Sequence, residues 1–162
     1  MGLGRLLMRT PLYPPLRIVA VRLAQPGTVR RWEQDGRPDP PPHAIKQRAL
    51  RELSEAYGTR VLVETGTYWG DMVAALEDRF DRIYSIELSD FLYEKARRRF
   101  RGRDNIEILH GDSAQRLPEV IARLQQPALF WLDGHNSGAE TAKASSNKKQ
   151  QNGPPGGMPP PF

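Results

Sequence analysis

Four short apolar segments, each followed closely by a carboxylate, alternate with helix-like segments in the middle of this chain. The segments read VLVE, IYSIE, IEILHGD and ALFWLD, and their acidic residues are Glu64, Glu87, Asp112 and Asp133. Strands that alternate with helical patterns at this spacing predict right-handed βαβ units and a parallel sheet. Because ligands of open α/β sheets bind at the carboxyl ends of the strands, these carboxylates are predicted to meet at one edge.

The predicted fold class is α/β, a Rossmann-like parallel sheet with helices on both faces. Strands are predicted at 61–64, 83–87, 106–109 and 128–132, and helices begin near Pro42, Tyr68, Ser89 and Pro118. The first helix is predicted to pack on the sheet through apolar residues at four-residue spacing, namely Ile45, Ala49, Leu53 and Tyr57. The fourth strand lacks alternation, which is typical of a strand covered on both faces.

The chain of 162 residues divides into three parts by composition. Residues 1–41 form a basic, proline-containing leader that is predicted to be partly disordered. Residues 42–138 hold all the strand and helix patterns and are predicted to form one domain. Residues 139–162 are dominated by Ser, Asn, Gln, Gly and Pro, so they are predicted to be disordered. The sheet is therefore expected to be incomplete at its C-terminal side, with the fourth strand as an exposed edge through which self-association is possible.

Composition also excludes several classes of protein. The chain has no cysteine, which excludes disulfides and thiolate metal sites and makes the cytoplasm the expected compartment. Six arginines and no acid precede Glu33, and a second basic cluster spans 95–103, but no RNA-binding aromatic signature accompanies them. Nucleic acid is therefore not a predicted partner, and no segment is apolar enough to predict a membrane partner.

The turn after the first strand reads Glu64-x-Gly66-x-x-x-Gly70 and opens a helix. Gly66 permits a sharp turn, and Gly70 permits close packing of the helix. Glu87, at the end of the next strand, is placed to accept hydrogen bonds from the hydroxyls of a ribose. A dinucleotide site requires a second glycine where Tyr68 stands, so a ligand without pyrophosphate, such as S-adenosylmethionine, is favoured.

Four segments, VLVETGTYWGDM, IYSIELSD, LHGDSAQ and FWLDGHNSG, together resemble the successive motifs of class I S-adenosylmethionine-dependent methyltransferases. The resemblance covers residues 42–138 and is closest to a small bacterial subgroup with an ETGTY turn and a DGH-like fourth-strand motif. It implies that the methionine moiety lies near Glu64, the ribose near Glu87, the adenine near Asp112, and the methyl group near Asp133. The cofactor-binding residues that it implies are Glu64, Thr65, Gly66, Tyr68, Gly70, Glu87, Leu88, Asp112, Ser113 and Asp133.

Catalysis is assigned to Asp133 and His135, the plausible bases near this predicted pocket, with the oxygen of a small molecule or sugar as the methyl acceptor. Two candidate ligands do not define a metal site, so no metal is predicted, although some O-methyltransferases use a divalent cation. The other histidines are interpreted structurally: His110 as packed or hydrogen-bonded, and His43 as a surface residue away from the pocket.

The family pattern continues with further strands and helices, so the resemblance implies a member that is truncated at its C-terminus. Such a truncation can abolish activity. Two alternatives therefore stay open. One is a non-catalytic remnant of a Rossmann fold that serves as a binding module. The other is an NAD- or nucleotide-sugar-binding Rossmann enzyme.

Overall fold

A computed structural model describes residues 26–133 of the chain. A helical segment at 26–34 precedes the elements of the domain. These alternate in the order α1 (His43–Ala56), β1 (Val61–Thr65), α2 (Asp71–Leu76), β2 (Arg82–Glu87), α3 (Asp90–Arg99), β3 (Ile106–His110), α4 (Ser113–Ile121) and β4 (Ala128–Leu132). The predicted alternation of strands and helices is therefore confirmed.

The four strands form one parallel sheet in the order β3-β2-β1-β4. From β1 the chain first builds outwards through β2 to β3 and then returns to place β4 on the opposite side of β1. The carboxyl ends of β1 and β4 thus flank the point where the strand order reverses. In open α/β sheets this point is the usual place of a ligand crevice.

Helices cover both faces of the sheet, which confirms the predicted fold class. On one face the apolar side chains of α2 pack with Leu50 of α1, Leu62 of β1 and Ile83 of β2. On the other face Val120 of α4 packs with apolar side chains of the sheet, namely Val61, Val63, Tyr84 and Ile86. Side chains alternate along a strand, so Glu64 and Glu87 share the face that carries α2.

The predicted packing face of α1 is wrong. Its buried residues are Leu50 and Ser54, whereas Leu53 and Tyr57 are exposed. Leu50 packs against the apolar side chains of α2, and Arg51 forms an ion pair of 2.6 Å with Asp78 just beyond the end of that helix. The apolar stripe and the contacting face lie next to each other on α1, and the periodicity of the helix does not separate them.

Two predicted helix starts are also corrected. The helix after β1 begins at Asp71 rather than Tyr68, because Tyr68 and Gly70 adopt positive φ angles of 53° and 75° that belong to a turn. The last helix begins at Ser113, where the Asp112 side chain accepts a hydrogen bond from the backbone N–H of Ala114 at 3.0 Å. Pro118 therefore lies inside α4 and does not begin it.

Within residues 26–133, β4 pairs with β1 alone and forms an edge of the sheet. Its Phe130 and Leu132 side chains are 39% and 63% exposed. The prediction that the fourth strand is covered on both faces is therefore wrong for this part of the chain, and the expected exposed edge is present. The rest of the predicted leader (1–25), the end of the domain (134–138) and the tail (139–162) lie outside the described residues.

Candidate functional site

A small cavity of about 30 Å³ lies at the reversal point between the carboxyl ends of β1 and β4. Four elements supply its walls: the end of β1 and the following turn, the first turn of α2, the end of β4 and the start of α1. The lining residues are His43, Glu64, Gly66, Thr67, Tyr68, Asp71, Met72, Trp131 and Asp133. The cavity is large enough to accommodate a small polar group.

The turn after β1 is fixed by backbone geometry and by β2. Gly66 has a φ of 83°, in the left-handed region that glycine enters without strain. The Gly66 N–H donates to the Ile86 carbonyl at 2.9 Å, and Tyr68 follows with its own left-handed conformation. The turn is therefore held against the end of β2, and Gly66, Thr67 and Tyr68 line the cavity.

Glu87 receives a backbone N–H at each of its carboxylate oxygens. Tyr68 donates to Oε2 at 2.7 Å, and Ser89 donates to Oε1 at 2.9 Å. The side chain is 2% exposed, and burial raises the pKa of Glu87, while these two N–H groups act in the opposite direction. Each oxygen has a lone pair left for a second hydrogen bond, although Glu87 does not line the cavity.

Glu64 is equally buried, at 2% exposure, but it has weaker support for a negative charge. Its Oε2 accepts a hydrogen bond from the Ser85 hydroxyl at 2.5 Å, and Ser85 lies 2.6 Å from the Thr67 hydroxyl. Burial raises the pKa of Glu64 to about 8; the Ser85 hydrogen bond opposes the shift, and the negative charges of Asp133 and Glu87 add to it. At neutral pH this side chain is therefore mostly a neutral acid.

Asp133, the predicted catalytic residue, lies at the end of β4 and lines the cavity. Its Oδ2 is 3.3 Å from Nζ of Lys46, which comes from α1. The same ammonium group lies 5.5 Å from the centre of the Trp131 ring. The Lys46 ammonium group is therefore close to both the Asp133 carboxylate and the Trp131 ring.

Of the predicted site residues, Glu64, Gly66, Tyr68 and Asp133 line the cavity, whereas the other described ones, Glu87 among them, do not. Gly70 packs against the ring of Phe100. Thr65 is buried in β1, and Leu88 is exposed beside the end of β2. Asp112 caps α4, which begins at Ser113. His135 lies outside the described residues.

Several cavity residues were missed by the sequence analysis. The prediction that His43 lies away from the pocket is wrong, because the start of α1 lies over the cavity. Trp131 also lines it, and Lys46 reaches Asp133 from 87 positions away in the sequence. Their contacts join distant segments and leave no local signal, whereas Thr67 and Asp71 flank the glycine turn and could have been found there.

His110 is hydrogen-bonded and stacked, as predicted. Its Nε2 lies 2.8 Å from Oδ1 of Asp90, and its ring stacks on Tyr93 with 4.8 Å between the centroids. No group of three or more His, Asp or Glu side chains within 26–133 is arranged to hold a metal ion. Among the helices described here, none is both long and apolar enough to cross a membrane.

A scan against protein-family models found no match, and neither did a search of the curated proteins. Solved structures do match. The O-methyltransferase TomG from Streptomyces achromogenes, crystallised with SAM, is 20% identical, with 68% of this chain and 52% of TomG covered and a TM-score of 0.48. An O-methyltransferase from Bacillus cereus in complex with SAH is 18% identical, with 66% and 53% covered and a TM-score of 0.47.

A third match is cofactor-bound Rv0187 from MTB, which is 16% identical, with 94% of this chain and 85% of that protein covered and a TM-score of 0.47. The chain spans about half the length of the TomG and Bacillus cereus structures. The likeness is one of fold. The Rossmann-like parallel sheet with helices on both faces, predicted from the sequence, is present in the structure of this chain.

Proposed function

We propose that the chain is an S-adenosylmethionine-dependent methyltransferase that methylates an oxygen of a small molecule or sugar. The observation that carries this proposal is the position of the cavity at the reversal point of the strand order, beside the glycine turn. A second carboxylate, Glu87, lies one strand away at the same edge. This arrangement suits a ligand with a small cationic end and a ribose.

The turn itself argues against a dinucleotide. A pyrophosphate requires free backbone N–H groups at the β1 turn and the start of the following helix. Here the Tyr68 N–H donates to the Glu87 carboxylate at 2.7 Å. A pyrophosphate at this position would therefore meet a negative side chain and an occupied donor. S-adenosylmethionine has no phosphate and avoids both conflicts.

The residues present fit the two cationic groups of this cofactor, its ammonium and its sulfonium, whose charge its tail carboxylate offsets in part. Glu64 and Asp133 line the cavity, and the Trp131 ring adds an aromatic face of the kind that attracts cations. Glu87 keeps lone pairs for ribose hydroxyls. We infer that the methionine end lies at the cavity and that the rest of the cofactor lies across the sheet edge towards Glu87.

When bound, the cofactor supplies the methyl group and its leaving group. The chain has to hold the acceptor oxygen in line with that methyl group and to accept its proton. Asp133 is the proposed acceptor of that proton, because its carboxylate lies at the cavity. Lys46 contacts this carboxylate at 3.3 Å and restricts its orientation. His43 lines the same wall and is a second group able to bind the acceptor.

Ligand binding tests this proposal directly. We expect S-adenosylhomocysteine to raise the melting temperature of the chain more than NAD does at equal concentration, because the ligand that binds the folded state more tightly stabilises it more. An equal or larger shift with NAD would contradict the proposal. Transfer of a labelled methyl group to a panel of hydroxylated small molecules and sugars, with Asp133→Asn as the control, then tests the chemistry.

A binding module without turnover is the second candidate. The exposure of Phe130 and Leu132 favours this binding module, because within 26–133 no apolar side chains cover these two residues of β4 beside the site. S-adenosylhomocysteine binding without methyl transfer to any member of the panel would support this function over the first.

A further inference from the structure

One arginine of the basic cluster at 95–103 lies against the candidate site. Arg98 pairs with Glu94 on the surface of α3 at 3.8 Å, and its side chain is 67% exposed. Arg99, the last residue of the same helix, pairs with Asp71 at 2.9 Å, and each of these two side chains is only 17% exposed. Solvent and salt screen a partly buried pair much less than a surface pair, so the charge of Arg99 acts on the groups beside it.

Arg99 also fixes the turn that lines the cavity. Its Nη1 donates one hydrogen bond to the Trp69 carbonyl and another to Oδ1 of Asp71. The same guanidinium lies 5.4 Å from the centre of the Phe100 ring, which packs at Gly70. The position of Asp71 on the cavity wall therefore depends on the end of α3.

The acids of the cavity are balanced in charge. The acids that line it are Glu64, Asp71 and Asp133. Lys46 lies 3.3 Å from Asp133. Arg99 neutralises Asp71, and Glu64 is mostly a neutral acid at neutral pH, because burial raises its pKa to about 8. Without Arg99 the Asp71 carboxylate would be an added negative charge at the cavity, and it would repel an anionic group of a ligand.

We propose that Arg99 is a specificity-determining residue: by neutralising Asp71, it lets the site accept a ligand tail that carries a carboxylate beside its amino group. The inference rests on the proposed function, in which the methionine end of the cofactor lies at the cavity. It adds that the Arg99–Asp71 pair decides between a zwitterionic tail and a purely cationic one. Arg99 acts through Asp71, so it is a positioning residue.

Two ligands that differ by one carboxylate test the inference. S-adenosylhomocysteine has a zwitterionic tail, and 5′-deoxy-5′-(3-aminopropylthio)adenosine, the aminopropyl ligand, is the same molecule without the carboxylate. Calorimetry on the whole chain at pH 7 gives both dissociation constants. Their ratio is the quantity to compare, because a general loosening of the fold or of the turn weakens both ligands alike.

The two members of the pair should move this ratio in opposite directions. Arg99→Met leaves a negative Asp71 beside the tail carboxylate and should shift the ratio about tenfold towards the aminopropyl ligand, the effect of one partly screened charge at close range. Asp71→Asn leaves the Arg99 cation and should shift the ratio towards S-adenosylhomocysteine. The double variant, which lacks both charges, should return close to the natural ratio.

Arg98→Met is the matched control, because it makes the same substitution one residue away on α3, and it should leave the ratio unchanged. Equal weakening of both ligands in Arg99→Met would show that the pair has a structural role only, and would overturn the inference. If Arg99→Met fails to fold, Asp71→Asn decides the question, since an unchanged ratio in that variant also overturns the inference.

The outcomes separate this inference from the proposed function. Binding of S-adenosylhomocysteine with a ratio that does not respond to Arg99 or Asp71 would leave the proposed function standing. A chain that binds neither adenosyl ligand would overturn both.

Discussion

Two carboxylates at the same sheet edge, Glu64 and Glu87, are both 2% exposed but are held in different ways. Glu87 accepts two backbone N–H groups, whereas Glu64 accepts one side-chain hydroxyl. Backbone N–H groups stabilise a carboxylate strongly, and a single hydroxyl does so less. The sequence predicted that both carboxylates lie at strand ends. It did not predict their different hydrogen bonding, because that depends on the positive φ of Tyr68, which turns the Tyr68 N–H towards Glu87.

Glu64 should make stability depend on pH. Its pKa is raised in the folded state to about 8 from an ordinary value of 4.5, so the folded chain binds more protons than the unfolded chain between these values. Stability is therefore expected to fall as pH rises from about 4.5 to 8, by on the order of 4 kcal/mol from this group. Glu64→Gln should remove this fall, as measured by urea unfolding at pH 5, 6, 7 and 8. Equal pH profiles for the two proteins would contradict the assignment.

The elements around the site are joined by close packing at Gly70, where α2 begins. A Cβ atom at this position would lie 2.6 Å from the Phe100 ring at the end of α3, and the φ of Gly70 is 75°. Arg99 in the last turn of α3 also pairs with Asp71 at 2.9 Å. The sequence predicted that glycine at 70 allows close helix packing, but the partner came from another βα unit and had no local signal.

Gly70→Ala should therefore destabilise the fold by about 2–4 kcal/mol, the sum of left-handed strain and the clash with Phe100. Gly58→Ala is the matched control, because Gly58 has a φ of 64° and no atom lies within 4 Å of its added Cβ. It should cost about 1–2 kcal/mol from strain alone. The double variant Gly70→Ala/Phe100→Leu should recover part of the lost stability. If the effects of the two single substitutions on the free energy of unfolding simply add, the Phe100 ring is not the obstacle.

At the scale of the whole molecule, local patterns predicted which segments are strands and helices but not how α1 lies on the rest. Alternation and turn residues identify elements from neighbouring positions. The rotation of α1, the placement of His43 over the cavity and the contact of Lys46 with Asp133 depend on residues far apart in the chain. Of the residues that line the cavity, the sequence predicted four, Glu64, Gly66, Tyr68 and Asp133, which lie at strand ends or in the glycine turn.

The β4 edge should promote association between copies of the chain. Within 26–133 its outer backbone groups have no strand partner, and Phe130 and Leu132 are exposed beside them. Such an edge is a template for pairing with a second copy. We expect Leu132→Lys to reduce self-association in sedimentation velocity over a range of concentrations. Leu53→Lys, at an exposed leucine on α1, is the control and should have little effect. A chain that stays monomeric at every concentration would contradict this expectation.

The Glu87 carboxylate accepts hydrogen bonds from two separate loops, because the Tyr68 amide belongs to the turn after β1 and the Ser89 amide belongs to the start of α3. Neither loop can swing away without breaking a bond to the same side chain. A ligand that hydrogen-bonds to Glu87 would therefore hold the one side chain to which both loops are attached.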